Sequence, residues 1–179
     1  MTIHTTAAPS QENTAATKAA PPAIHIVLVH PQIPHNTGAI GRLCVGMQAR
    51  LHLIEPCGFS LSEKAVRRSG LDYWQFLDLH THPSWDAFLE TCQPTSMVFL
   101  STRGTRNLYD VSFRAACWLV FGNETHGLPD PLYSRYAQDL IRIPQPGPHA
   151  RSINLANAVA ITAYEAYRQI SAASASASS

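Results

Sequence analysis

The chain of 179 residues contains no apolar run of 18, so no membrane-spanning helix is expected. Charge is sparse too: 14% of residues are charged and the formal net charge is +1, so no global field of one sign selects a partner. The four cysteines, Cys44, Cys57, Cys92 and Cys117, show no CxxC spacing, and each lies within or beside an apolar stretch. That pattern excludes a disulfide framework and points to packing roles in a reducing, cytoplasmic compartment. Nine histidines are present. His25 and His30, or His80 and His82, have no matching cysteine or carboxylate set along the chain, so no metal is expected. GxGxxG after the first strand and GxxxxGK[ST] are both missing, which excludes the ordinary dinucleotide and P-loop cradles.

The first 22 residues are poor in large apolar side chains and lack the basic and apolar regions of a signal peptide. Residues 1–22 therefore read as a disordered tail, and the low-complexity stretch 171–179 as another. Residues 23–170 remain as one folded domain, long enough to bury its own core. Eleven of the thirteen basic residues are arginine, the side chain suited to bidentate phosphate contacts and to stacking on bases.

What the chain does hold is alternation. "IHIVLVH" (24–30), "LHLI" (51–54), "SMVFLS" (96–101), "CWLVFG" (117–122) and "DLIRIP" (139–144) read as strands. Continuous apolar runs of this length suit the centre of a sheet covered on both faces. From Asn36, the spacing of Ile40, Leu43, Cys44 and Met47 predicts a helix, and a short helix is expected near "SEKAVRRS" (62–69). Pro83 is expected to open the helix "PSWDAFLETC" from its first turn. A long helix from Ser152 to Ile170 carries Ile153, Ala156, Val159, Ala160, Ala163 and Tyr164 on one side. The expected fold is α/β, a mainly parallel sheet with helices on both faces. Ligands of such sheets sit beyond the carboxyl ends of the strands. Three Pro-, Gly- and Asn-bearing loops fall there: "HPQIPHNTG", "FGNETHGLP" and "IPQPGPHARSIN".

"HNTGAIGRLC", "FGNETHGLP" and "RSINLANAVAITAYEAYRQ" resemble, in order and spacing, the three motifs of SPOUT-class RNA 2'-O-methyltransferases. The match is nearest to the bacterial tRNA (cytidine/uridine-34)-2'-O-methyltransferase family. It extends from about Ile24 to Ile170 through "LHLIEPCGF" and "RRSGLDYW". The resemblance implies a C-terminal trefoil knot, which general topology rules disfavour. It also implies S-adenosyl-L-methionine as cofactor and a homodimer that builds each active site from both subunits. The implied reaction is methylation of the wobble ribose of tRNA in the anticodon loop, on leucine isoacceptors. Another tRNA or rRNA ribose, or a non-catalytic RNA-binding protein on the same scaffold, remains the alternative.

Such chemistry needs a hydroxyl held in line with the methyl group and help for its departing proton. By resemblance the cofactor-binding positions are Leu100, Gly122, Ile143 and Ser152, which otherwise read as core residues, a turn and an N-cap. The catalytic set is Arg42, Asn36, Glu124, Ser152 and Asn154. A guanidinium holds its proton, so Arg42 reads as a fork gripping the 2'-oxygen or a phosphate rather than as a base. Asn36 orients Arg42 or the ribose, caps the helix, or does both. Glu124 supports the site or complements backbone N–H groups at the loop. For RNA, Arg42 and Tyr164 are joined by Arg67 and Arg68 in "KAVRRSG"; Tyr164 equally suits packing at a dimer interface. Arg103 and Arg106 in "STRGTRN" are further phosphate candidates. Ala39, His126 and Ala156 stand where the family more often has Asn, Arg and Ser, which bears on substrate choice.

Overall fold

The computed structural model describes residues 23–60 and 72–177. Its strands are β1 (Ile24–Val29), β2 (Arg50–Ile54), β3 (Leu79–His82), β4 (Met97–Leu100), β5 (Arg106–Asn107), β6 (Cys117–Phe121) and β7 (Leu140–Arg142). They form one sheet in the order β3-β2-β1-β6-β4-β7-β5, with every pairing parallel. The helices are α1 (Pro34–Met47), α2 (Trp85–Cys92), α3 (Asp130–Arg135) and α4 (Leu155–Ala177).

All side chains of β1 and β6 are buried, as their unbroken apolar runs require, because helices cover both faces. On one face Ile26, Leu28, Leu53 and Leu119 pack against Ile40 and Cys44 of α1 and Val159, Ala163 and Ala166 of α4. On the other, Val27, Val29, Phe99 and Val120 meet Phe88 of α2 and Leu132 of α3. Strand order reverses between β1 and β6, so the loops leaving these neighbours at their carboxyl ends lie side by side.

Several boundaries differ from the sequence reading for local reasons. Helix α1 starts at Pro34, whose missing N–H costs nothing in a first turn, so Asn36 lies inside the helix and is not its N-cap. Pro83 precedes α2 rather than opening it; Ser84 is the N-cap, its hydroxyl accepting from the N–H of Ala87 at 3.1 Å. Helix α4 begins at Leu155 rather than Ser152; of the side expected to carry Val159, Ala163 and Tyr164, the first two are fully buried and Tyr164 is 56% exposed. The same helix runs to Ala177, through the stretch expected to be an unstructured tail, because alternating Ala and Ser are compatible with helix. Residues 171–176 are nonetheless exposed and bury nothing. The expected helix at 62–69, with Lys64, Arg67 and Arg68, lies outside the described residues.

The four cysteines are free; Cys44 and Cys117 are buried, and Cys57 and Cys92 are half-buried. Burial pushes the thiols of Cys44 and Cys117 up, to about 12 and about 11, so both behave as small apolar groups. No helix among the described residues is long and apolar enough to cross a membrane.

Candidate functional site

The loop 122–129 leaves the end of β6 and folds back at once. Asn123 and Gly127 exchange backbone hydrogen bonds at 3.0 and 3.1 Å. The Asn123 side chain accepts from the N–H groups of Thr125 and His126 at 3.0 and 2.7 Å, closing an Asx turn. Gly127 takes φ 72°, a conformation that costs glycine little. A Cβ on Gly122 would collide with the backbone of Gly127 and Leu128, so only glycine lets the loop close against its own strand end.

Glu124 is held out of this loop toward the start of α1. Its carboxylate accepts from the backbone N–H of Gln32 at 2.9 Å, the N–H of Ile33 at 3.1 Å and the side-chain amide of Asn36 at 3.0 Å. Helix α1 has no side-chain cap of its own and no acidic residue in its first turn. Glu124 supplies that missing negative charge from 91 residues away in sequence. The chain of bonds continues. Asn154 donates to Asn36 Oδ1 at 3.0 Å, and its own Oδ1 accepts from the N–H of Ala156 at 2.9 Å, capping α4. One directional set of hydrogen bonds thus runs from the N-terminus of α4 through two amides to a carboxylate at the N-terminus of α1. These bonds orient both amides, because each oxygen accepts and each nitrogen donates.

Glu124→Ala is expected to lower folding stability by about 1–3 kcal/mol by stranding these donors. Thermal unfolding of Glu124→Ala beside wild type measures it, and an unchanged midpoint would mean the carboxylate caps nothing.

The network forms one wall of a cleft of about 830 Å³ over the ends of β4, β6 and β7, within the size range of cofactor sites. Asn36, Leu100, Gly122, Glu124, Ile143, Ser152 and Asn154 all line it. Arg42 does not line this cleft: it is exposed on α1, its guanidinium 5.0 Å from the ring centroid of Tyr73. Tyr73 in turn donates to the carbonyl of Gly38 at 2.6 Å. Tyr164 lies away from the cleft on the exposed side of α4, in edge contact with Tyr167. Arg67 and Arg68 fall outside the described residues.

A family model described as the SpoU rRNA Methylase family matches residues 23–164, which include every element around the cleft. The chain belongs to the SpoU methylase family. It is a methyltransferase, and the loop cluster just described is its candidate site. A tRNA (cytidine(34)-2'-O)-methyltransferase from Acidovorax sp. (strain JS42) is 48% identical over 149 residues, covering 81% of this chain and 91% of that protein. A solved structure described as "Structural insights into the 2-OH methylation of C/U34 on tRNA" superposes with a TM-score of 0.76 at 46% identity, covering 84% and 97% of the two chains. An AdoMet-bound rRNA methyltransferase from Sinorhizobium meliloti superposes with a TM-score of 0.68 at 27% identity, covering 81% and 56%.

The SpoU cleft also holds Tyr133, which the sequence reading passed over, beside Arg103, which it named as a phosphate candidate. Tyr133 of α3 shares a hydrogen bond with Ser101 at 3.1 Å and accepts from the N–H of Leu128 at 3.3 Å, joining the β4 and β6 loops. Arg103 lies 4.3 Å from the centroid of its ring. Arg103 had a signal, an arginine in the loop after a strand. Tyr133 had none, because its partners stand on two other loops. His126 lines the cleft with an exposed side chain.

Proposed function

We propose that this SpoU methylase transfers the methyl group of S-adenosyl-L-methionine to the ribose 2'-OH of the wobble nucleotide, position 34, of tRNA. The nucleotide is a cytidine or a modified uridine, and the isoacceptors are those for leucine. The single observation that carries the reading is the Glu124–Asn36–Asn154 network, which ties all three motif loops into one wall of the cleft. The names of the relatives at 45–48% identity support position 34.

The lining suits the cofactor. Leu100, Phe121 and Ile143 offer apolar surface to a purine, and Ser101 and Ser152 add hydroxyl groups at the rim. The carboxylate of Glu124 is already satisfied by three donors, so it does not compete as a strong anion for a sulfonium. When bound, the cofactor supplies an activated methyl group whose transfer discharges a cation. Leu100, Gly122, Ile143 and Ser152 hold it, and Asn36 and Asn154 keep the loops in register beside the ribose. Arg42 grips the 2'-oxygen or a flanking phosphate, lowering the cost of forming the alkoxide.

Because Arg42 is absent from the cleft of its own chain, the reading includes a homodimer in which it reaches the partner's cleft. The exposed stripe of Ile161, Tyr164 and Tyr167 on α4, at 37%, 56% and 50%, supports such a face. Threading of the C-terminal segment through a trefoil knot, with the protein acting in the cytoplasm, completes the proposal.

Labelled-methyl incorporation into leucine tRNA carrying a 2'-deoxy nucleotide at position 34 tests the site of transfer. Incorporation is expected to fall to background. Undiminished incorporation would place the methyl on another ribose and overturn the position-34 assignment.

A further inference from the structure

On the sheet face opposite α1, running from β1 to the β3 edge, three imidazoles form a row. His25 of β1, His52 of β2 and His82 of β3 are 7%, 1% and 5% exposed. Parallel register sets Ile54 opposite His82 and Val27 opposite His52, so the three residues share one face in a diagonal line. Helix α2 closes over them with Phe88 and Cys92, four residues apart and hence on one side of the helix. Phe88 makes edge contacts with His52 and His82 at 5.8 and 5.3 Å, which hold both rings.

Three donor atoms converge under the end of that helix. His52 Nδ1 and His82 Nε2 are 3.0 Å apart, and Cys92 Sγ lies 3.9 Å from the first and 4.0 Å from the second. Among the described residues this is the one group of three His, Cys or carboxylate side chains able to share an ion. Tetrahedral zinc, with bonds of about 2.05 Å to nitrogen and 2.3 Å to sulfur, places such atoms about 3.4 Å (N to N) and 3.6 Å (N to S) apart. The cluster meets that geometry with changes of about 0.4 Å, less than a side-chain rotation supplies.

The surroundings fit as well. His52 Nε2 faces His25 Nδ1 at 3.3 Å, so with Nδ1 on an ion the other ring nitrogen donates to His25, in the place a carboxylate, carbonyl or water takes at most ligating histidines. Cys92 is the last residue of α2, where the helix end carries partial negative charge. Arg50, the nearby cation, is paired with Asp78 at 2.7 Å, and Asp78 also holds His80 at 2.7 Å.

We propose that His52, His82 and Cys92 form a zinc site that clamps the edge of the sheet, β2 and β3, to α2. Half-burial of Cys92 leaves the fourth position to water. The site is separate from the cleft and takes no part in methyl transfer.

The test uses the full chain with no affinity tag, stripped with chelator and titrated with Zn²⁺ by calorimetry, then with Co²⁺ by absorption. One Zn²⁺ per chain is expected, with a thiolate-to-cobalt charge-transfer band in the Co²⁺ form. Cys92→Ser is expected to weaken Zn²⁺ affinity about 100-fold and to remove that band, while Cys57→Ser changes neither. Methyl transfer by Cys92→Ser stays at the wild-type level. Failure of the wild-type chain to bind zinc, equal affinity in Cys92→Ser, or a cobalt complex without the thiolate band would each overturn the proposal. The wild-type spectrum decides even where the serine variant folds poorly.

Discussion

Arg42→Ala is expected to lower methyl transfer by about three orders of magnitude, the scale of removing a donor aimed at a developing oxyanion. Cofactor affinity by calorimetry is expected to stay within about twofold of wild type, because Arg42 is assigned to the ribose oxygen or a phosphate and the cofactor to Leu100, Gly122, Ile143 and Ser152, which line the cleft. Its neighbours explain why the loss is clean. The guanidinium is exposed on α1 and rests 5.0 Å from the ring centroid of the buried Tyr73, so truncation removes that one cation–π contact and leaves the Tyr73–Gly38 hydrogen bond in place. Lysine at this position restores charge without the planar fork and recovers little of the activity. A sharper form of the experiment co-expresses Arg42→Ala with Gly122→Ala. If Arg42 serves the partner's cleft, each mixed dimer keeps one intact site, and random pairing returns about a quarter of wild-type activity. No recovery would place Arg42 in its own subunit's site, and wild-type activity of Arg42→Ala alone would remove it from the reaction.

Gly122→Ala is expected to abolish cofactor binding. The added methyl would occupy the space of the Gly127 carbonyl carbon and the Leu128 nitrogen, both backbone, so no side-chain rotation relieves the clash. The Asn123–Gly127 bridge must open, and with it go Glu124 and the turn that presents His126. Calorimetry with S-adenosyl-L-methionine reads the loss, expected to exceed 100-fold from backbone displacement at the site. Circular dichroism should show the sheet intact, since β6 ends at Phe121. Cofactor binding at wild-type strength would mean that the loop closes by another route. Gly46 is the internal control: a Cβ there meets nothing within 4 Å, so Gly46→Ala is expected to leave binding unchanged.

Much of the fold was legible along the chain. β1 and β6 announced themselves as unbroken apolar runs because they lie at the centre of a sheet covered on both faces. The α1 stripe of Ile40 and Cys44 emerged from helical spacing, and both side chains are fully buried. β5, two residues long, carries no periodicity to read and exists because β7 lies beside it. The start of α4 was misplaced because Ser152 resembles a cap, whereas the capping oxygen belongs to Asn154. The motif loops located most of the cleft, but Tyr133 joins two loops by contacts that no local pattern encodes.

The sequence by itself determined the five longer or more apolar strands, the helices of clear period and the loops that gather at the carboxyl ends, because backbone preference and hydrophobic period act over a few residues. It also carried the motif residues that mark the family. Only the tertiary structure decided which group answers which. Glu124 caps a helix 91 residues earlier in the chain, Asn154 meets Asn36 across 118 residues, and Arg42 turns away from its own cleft. Parallel register, a property of paired strands rather than of either alone, brought His52 and His82 together beneath Cys92. Such distances are set by the packing of whole elements, so chemistry that depends on them becomes visible only when the chain is folded.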